Sequence, residues 1–312
     1  MDRTILGLLA ILAAFLAGSL LLPSWAVSLA TVALAKALVI LGLLVLLRAG
    51  LVPFGQALFF ALGAYGAGMA LREAGSGDVV AGLFAGTAAA ASAAVLLGFL
   101  MARYREIFFA MLSLAFSMLL YGLLVKNAAL GGTDGFNVPA PTFLGWAPSP
   151  ATARRVLLAV AAALAIGCHA AIHVYLRSTM GRLATAIRDN EIRVEYLGAS
   201  VQRAIHVKFA IAGTLAGMGG VLTAFSAGHI DPGMSYWTAS GEFVFVTVMG
   251  GAGSVLAPIA GSFLFEIVRT YAVEYAPQAW QAVVGAVLLV IILVLPGGLW
   301  SLFQRRRGTQ PP

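Results

Sequence analysis

The chain has 312 residues, of which 61% are hydrophobic and only 10% charged, whereas a soluble domain carries nearer one quarter charged residues. Several apolar runs reach the roughly 20 residues that span a bilayer, so composition excludes a soluble globular protein and points to a polytopic, all-α membrane protein. The net charge of +7 does not indicate nucleic acid, because the basic residues sit at the ends of apolar runs rather than on one face, the pattern that positive-inside orientation produces.

The first run, residues 5–22, lies between Arg3 and Pro23. It reads as a first spanning helix rather than a signal peptide, because it is long and a second run starts almost at once. That second run, 27–47, holds Lys36 near its middle. A charge inside the membrane is a functional candidate; Lys36 could contact substrate, snorkel or pair with an acid. Block 53–71 is short and glycine-rich, with Gly55, Gln56, Gly63 and Tyr65. Runs 79–102 and 107–125 follow, separated by Arg103 and Arg105. The polar gap 127–155 is too short for a soluble domain, so 1–312 reads as one transmembrane unit. Its loop, 127–153, carries Gly131, Gly132, Thr133, Asp134 and Gly135, then Pro139, Pro141, Trp146 and Pro148. Run 156–176 contains the single cysteine, Cys168, which excludes an internal disulfide. His169 and His173 have the spacing of metal ligands, but no third ligand is near and no metal is expected.

Between Ser178 and Val201 the chain stops being apolar: STMGRLATAIRDNEIRVEYLGASV. Written as a helix over 181–197, it places Leu183, Ala186, Ile187, Val194 and Leu197 on one stripe. Arg182, Arg188, Asp189, Arg193 and Glu195 cover the rest, and Gly198 can end the helix in the left-handed conformation. Charges of both signs suit a protein groove better than anionic lipid. Run 206–227 comes next. Block 241–271 opens with Glu242, is too long for one helix, and is broken by Gly250, Gly251, Gly253 and Pro258. Glu266 and Arg269, three apart, can pair with each other. Run 279–300 leads into the tail 301–312, with Arg305, Arg306 and Arg307.

The charged stretch and the basic tail should both be cytoplasmic, so an even number of crossings separates them. Block 241–271 then crosses twice, as two short segments joined near 250–254. Non-helical backbone at that depth must be buried in protein or line a wet cavity. Counting back places Arg103 and Arg105 inside and loop 127–153 outside, for about ten crossings with both termini cytoplasmic. Blocks 53–71 and 241–271 are loosely alike. Paired interrupted segments point to a substrate path, although glycine also serves close helix packing.

Several segments, in order, resemble one family. GRLATAIRDNEIRVEYLGASV is similar to the cytoplasmic loop of ABC importer permeases of the branched-chain amino acid type, the LivM-like family. GQALFFALGAY (from Gly55) resembles its GHAAFFGIGAY segment, and FFAMLSLAF (from Phe108) its YFAIVTLAF segment. GGTDG (from Gly131) resembles its TGG(S/T)DG loop, and GGAGS (from Gly250) with PIAG (from Pro258) its GG(L/M)GS…GP…G run. The set covers about residues 30–300. The chain departs from the pattern at Pro53, at Gln56 where histidine is common, and at Leu44 or Val45 in place of an asparagine.

The resemblance implies a type II-like importer bundle in a bacterial inner membrane, passing branched-chain or other hydrophobic amino acids. Urea, amides and aromatic compounds are the alternative substrates within that type. ATP and Mg would be bound by two partner ATPases. This chain has no GxxxxGK[ST] loop around Lys36, Lys126 or Lys208, so it is not expected to be an enzyme or to hold a cofactor. A second, distinct permease subunit and a periplasmic binding protein complete the expected assembly. The coupling helix, about 179–198, would offer the ATPase Gly181, Arg182, Ala186, Ile187, Arg188, Asp189, Asn190, Glu191, Glu195, Leu197 and Gly198. Gly55, Gln56, Gly63, Tyr65, Glu242, Gly250, Gly251, Gly253 and Ser254 would line the path, and Gly131–Gly135 would face the binding protein. An ion-coupled secondary transporter is the reading of another class. It needs buried acids, for which only Glu242 and Glu266 qualify, and it leaves the charged helix unexplained.

Overall fold

A computed structural model of the chain describes residues 3–295 and 297–305 and is helical almost throughout. In chain order the helices are α1 (Arg3–Leu21), α2 (Ser24–Leu47), α3 (Gln56–Ala74), α4 (Val79–Met101), α5 (Glu106–Lys126), α6 (Pro150–Arg177), α7 (Thr179–Asp189), α8 (Glu191–Tyr196), α9 (Val201–Ala227), α10 (Trp237–Gly250), α11 (Ala257–Tyr275), α12 (Trp280–Val294) and α13 (Trp300–Arg305). Two short strands, β1 (Phe136–Asn137) and β2 (His229–Ile230), pair antiparallel. Arg306 and Arg307 of the expected cytoplasmic tail lie outside the described residues.

Among the described residues, α2, α4, α5, α6 and α9 are each long and apolar enough to cross a membrane. They differ sharply in burial. The most apolar window of α2 is 89% buried, whereas those of α4 and α5 are only 22% buried. α2 is therefore the central helix, apolar all round because it is enclosed all round. α4 and α5 turn wide apolar faces outward, with Phe84 and Phe108 among the most exposed side chains.

The centre is assembled from small residues. α9 runs antiparallel to α2, with Gly42 against Ala212 and Gly219 against the Ala35 carbonyl. It runs antiparallel to α4 as well, with Gly82 near Phe225 and Gly98 near His206. Without water to drive helices together, close van der Waals packing must do so, and small residues permit the approach. Gly220 shows how tight the fit is. A Cβ added there would lie 1.9 Å from the Phe60 carbonyl oxygen, so α3 and α9 would have to separate. Gly220→Ala should therefore cost about 1–3 kcal/mol or more. Gly167→Ala, on α6 with nothing within 4 Å of the new Cβ, should be neutral or slightly stabilising. Thermal midpoints of the two purified variants check this; equal midpoints would show that α3 and α9 can give way.

The antiparallel order separates two ends. At one end lie the last turns of α2, α4 and α6, the first turns of α5 and α9, and α7 and α8. Arg48, Arg103, Arg105, Arg177 and Arg203 gather there; we call it the basic end. At the opposite, loop end, β1 and β2 meet, and the N–H of Val79 donates to the Thr142 carbonyl. Asp78 caps α4 there by accepting from the N–H groups of Val80 and Ala81. Those bonds, Ala81 foremost, hold its carboxyl below the usual carboxylate range.

The expectation of one helix over 181–197 is corrected. The helix breaks at Asn190, which takes an extended conformation (φ −163°, ψ 101°) and caps α8 with its side chain on the Arg193 N–H. Asparagine competes well for such a cap, so it ends α7 and starts α8 in one step. Block 241–271, expected to break near 250–254, does so: α10 ends at Gly250 and α11 begins at Ala257.

Candidate functional site

At the basic end, Ser178 caps α7 by accepting from the Gly181 N–H. Gly181 lies against the Tyr175 carbonyl, where a Cβ would stand 2.2 Å away, and Lys208 Nζ donates to the Met180 carbonyl at 2.9 Å. α7 is thus fastened to the ends of α6 and α9. Gly181, Ala184, Ile187 and, on α8, Val194 are buried against the bundle. Ala186 and Leu197, expected on the apolar stripe, are instead exposed: α7 buries Gly181, Ala184 and Ile187, and the break at Asn190 turns Leu197 outward. The outward face carries Arg182, Arg188, Asp189, Arg193 and Glu195. Among these charges stand three large apolar side chains: Ile192, Tyr196 and Leu197 are 67%, 88% and 81% exposed. Gly198, with φ +82°, closes α8 in the left-handed conformation, as expected.

Glu191 turns inward. Its carboxylate takes a forked contact from Arg105, with Nε at 2.8 and 3.0 Å and Nη2 at 2.6 Å. Nη1 of Arg105 donates at the same time to the carbonyls of Ala102 and Tyr104. One guanidinium thus ties α8 to the turn between α4 and α5. The sequence assigned Glu191 and Arg105 to separate features. Only their placement at one end of the bundle hints at the pair.

The second group of candidates sits deeper. Gly55 packs on the Ser113 backbone, seven residues into α5, so α3 starts about 10 Å inside that helix's end. α10 starts deeper still, where Ser117 Oγ donates to the Ser235 carbonyl and the Tyr121 and Tyr236 rings meet at 4.8 Å. The two interrupted helices touch at their first turns, where the Ala57 N–H donates to Ser240 Oγ at 3.0 Å. Gln56 is fully buried there, and neither amide atom has a partner among the described residues. Gly63 packs on the Gly217 backbone, as a Cβ would meet its carbonyl oxygen at 2.2 Å. Tyr65 stacks edge-on against Phe136. At the far corner Gly251 has φ +88°, and Ser254 Oγ accepts the Leu256 N–H before α11. Gly250 packs against the Ala257 carbonyl, Gly253 is exposed, and Arg48 donates twice to the Ala252 carbonyl. The structure brings Gly55, Gln56 and α10 together; Tyr65 and the Gly250–Ser254 corner lie elsewhere.

Beside α10 lies a cluster the sequence supplied only as separate parts. Lys36 Nζ is 2.5 Å from Glu242 Oε1 and 2.5 Å from Glu266 Oε1. Arg269 reaches the same two oxygens at 3.8 and 4.0 Å. The expected pairing of Glu266 with Arg269 is therefore its longer contact, and Lys36 is its main partner. Lys36 and Glu266 are each 8% exposed at the side chain, Glu242 19% and Arg269 37%. Two positive and two negative charges from α2, α10 and α11 balance, as charges inside a membrane must. His169, by contrast, is fully buried and bonds the Ala165 carbonyl through Nδ1.

The loop holds its glycines for backbone reasons. Gly131, Gly132 and Gly135 all have positive φ, and Gly135 sits where a Cβ would meet the Ile230 carbonyl at 1.9 Å. Thr133 and Asp134 are exposed.

A family model described as the branched-chain amino acid transport system / permease component matches residues 25–293. The high-affinity branched-chain amino acid transport system permease protein LivM of Escherichia coli K12 is 28% identical over 315 residues, covering 94% of this chain and 74% of that protein. The corresponding LivH protein of the same strain is 28% identical over 131 residues, 41% of this chain and 42% of that protein. The autoinducer 2 import system permease protein LsrC of Klebsiella pneumoniae is 26% identical over 137 residues, 42% of this chain and 40% of that protein. No solved structure matches.

Proposed function

The chain belongs to the permease component family of branched-chain amino acid transport systems, and from that premise we propose that it imports branched-chain or other hydrophobic amino acids, driven by ATP hydrolysis on partner subunits. It would be the multi-pass inner-membrane part of an ABC importer with both termini cytoplasmic. Two cytoplasmic ATPases, a second permease subunit and a periplasmic binding protein would complete the assembly. Similarity to both LivM and LivH, two permeases of one named system, supports a distinct second permease.

The observation that carries the reading is the face of α7 and α8. It lies at the basic end, which orientation by positive charge puts in the cytoplasm. Exposed Ile192, Tyr196 and Leu197 amid charges of both signs have the character of a docking surface, apolar at the centre and polar at the rim. Through the Gly181 contact, the Lys208 bond and the Arg105–Glu191 fork, a push on this face passes into α4, α5, α6 and α9. ATP binding and docking of the loaded binding protein would bias the bundle between its two open sides. A full reversal needs about 5.5 kcal/mol of differential affinity.

Replacing Ile192 and Leu197 together with aspartate tests this. The ATPases should no longer co-purify with the permease, and binding-protein-dependent uptake of labelled leucine into proteoliposomes should fall by about tenfold or more. Retained co-purification and normal uptake would overturn the docking role. Uptake driven by an ion gradient without ATP would instead support a secondary transporter. Both acids that such a transporter would use already have Lys36 as partner.

A further inference from the structure

The ionic cluster is asymmetric. Lys36 lies 2.5 Å from both acids and donates its hydrogen bond to Glu242, while Lys36 and Glu266 are the two buried members. Glu242 and Arg269 form a loose pair at 3.8 Å and are the two members that reach the surface. Their position is deep. Glu266 is the middle residue of α11, and Arg269 stands one turn towards the loop end. A charge that reaches the surface at such depth does not face lipid, because the cost of placing it there is several kcal/mol. The point where Glu242 and Arg269 emerge on α10 and α11 therefore faces water or another polar group.

Apolar walls adjoin the loose pair. Arg269 lies over the Trp280 ring at 5.4 Å, at the start of α12. Phe245, three residues after Glu242 and so on the same side of α10, opens a groove of about 370 Å³ between α10 and α12. Gly285, Leu288, Leu289, Ile292 and Leu293 of α12 line the rest of it. From the loop end inward the order is an aromatic ring, a cation, an anion and an apolar groove of ligand size.

We propose that Glu242 and Arg269 form a transient binding site for the zwitterionic head of an apolar amino acid. The ammonium pairs with Glu242, the carboxylate takes the guanidinium fork of Arg269, and the apolar side chain enters the α10–α12 groove. This deepens the transport reading above and rests on it. A zwitterion has no net charge, so it replaces one ± contact by two of the same kind and leaves the cluster neutral. Lys36 stays between Glu266 and Glu242 behind it and holds the Glu242 carboxylate in place.

The test uses the assembled transporter in nanodiscs without binding protein and measures binding of labelled leucine. Competitors are isoamylamine, which lacks the carboxylate, and isovalerate, which lacks the ammonium. Wild type should prefer leucine to either by about tenfold or more. Arg269→Gln should weaken leucine by a similar factor and leave isoamylamine unchanged. Glu242→Gln should weaken leucine and leave isovalerate unchanged. Arg269→Lys, which keeps the charge without the fork, should retain leucine binding within about fivefold. Equal weakening of all three ligands would show a structural role only and overturn the site, as would unchanged leucine binding in both neutral variants. A wild type that imports leucine yet lacks the preference overturns the site alone. A wild type that neither imports nor binds leucine overturns the transport reading and this site with it.

Discussion

Lys36→Met should be among the most damaging single changes in the molecule, costing about 3–5 kcal/mol. Among the described residues the ammonium is the only close counter-charge that Glu242 and Glu266 share, at 2.5 Å each, with Arg269 further out. Removing it leaves two carboxylates near one another in the enclosed centre, with only the partly exposed Arg269 at 3.8 and 4.0 Å to offset their charge. Methionine fills much of the volume, so a loss measures charge rather than a cavity. The complementary variant separates stability from function. Lys36→Met combined with Glu242→Leu, Glu266→Leu and Arg269→Met removes the whole ionic set, and replacing a buried ionic group by apolar residues is often neutral or better. The quadruple variant should recover most of the thermal midpoint lost by Lys36→Met, yet not the uptake. A Lys36→Met protein with wild-type midpoint and yield would show that Arg269 alone suffices to neutralise the pair.

What the sequence showed and what it hid have separate physical origins. Runs of apolar residues define helices by local composition, and glycine and proline end them by local geometry. The break of block 241–271 at Gly250 and the left-handed close at Gly198 were therefore legible. Asn190 was legible too in principle, since asparagine with a free N–H three residues on is a strong cap, but the apolar stripe across 181–197 masked it. Side-chain partners distant in sequence carry no such local signal. Lys36 meets Glu242 across 206 residues and Arg105 meets Glu191 across 86. Each needed a partner as an isolated charge in an apolar chain, but only the antiparallel packing of α2, α9 and α4 decides which partner is in reach. Glycines show the same limit. Gly63 fits a path or a helix contact equally well in sequence; the Gly217 carbonyl beside it makes it a helix contact.

The Arg105–Glu191 fork makes the strongest prediction about coupling. Arg105 and Glu191 are 26% and 34% exposed, so water screens the pair and its worth to stability is only about 1 kcal/mol. Its larger role is geometric. α8 is six residues long, too short to hold its own direction, and α8 carries the exposed Ile192 and Tyr196. Arg105→Glu or Glu191→Arg alone should place like charges together and swing α8 away from the α4–α5 turn. Each should reduce substrate-stimulated ATP hydrolysis by about tenfold, equivalent to about 1.4 kcal/mol, with little change in thermal midpoint. The double exchange should restore the pair but not the full rate. Glutamate at 105 cannot donate to the carbonyls of Ala102 and Tyr104 as the guanidinium does. Arginine at 191 would also stand in the first turn of α8, the end of a helix that favours an acid. Recovery in the double variant that exceeds the product of the two single losses would demonstrate the coupling. Strict additivity would show that α8 is held by Val194 and the Asn190 cap alone, leaving the fork without a part in transmission.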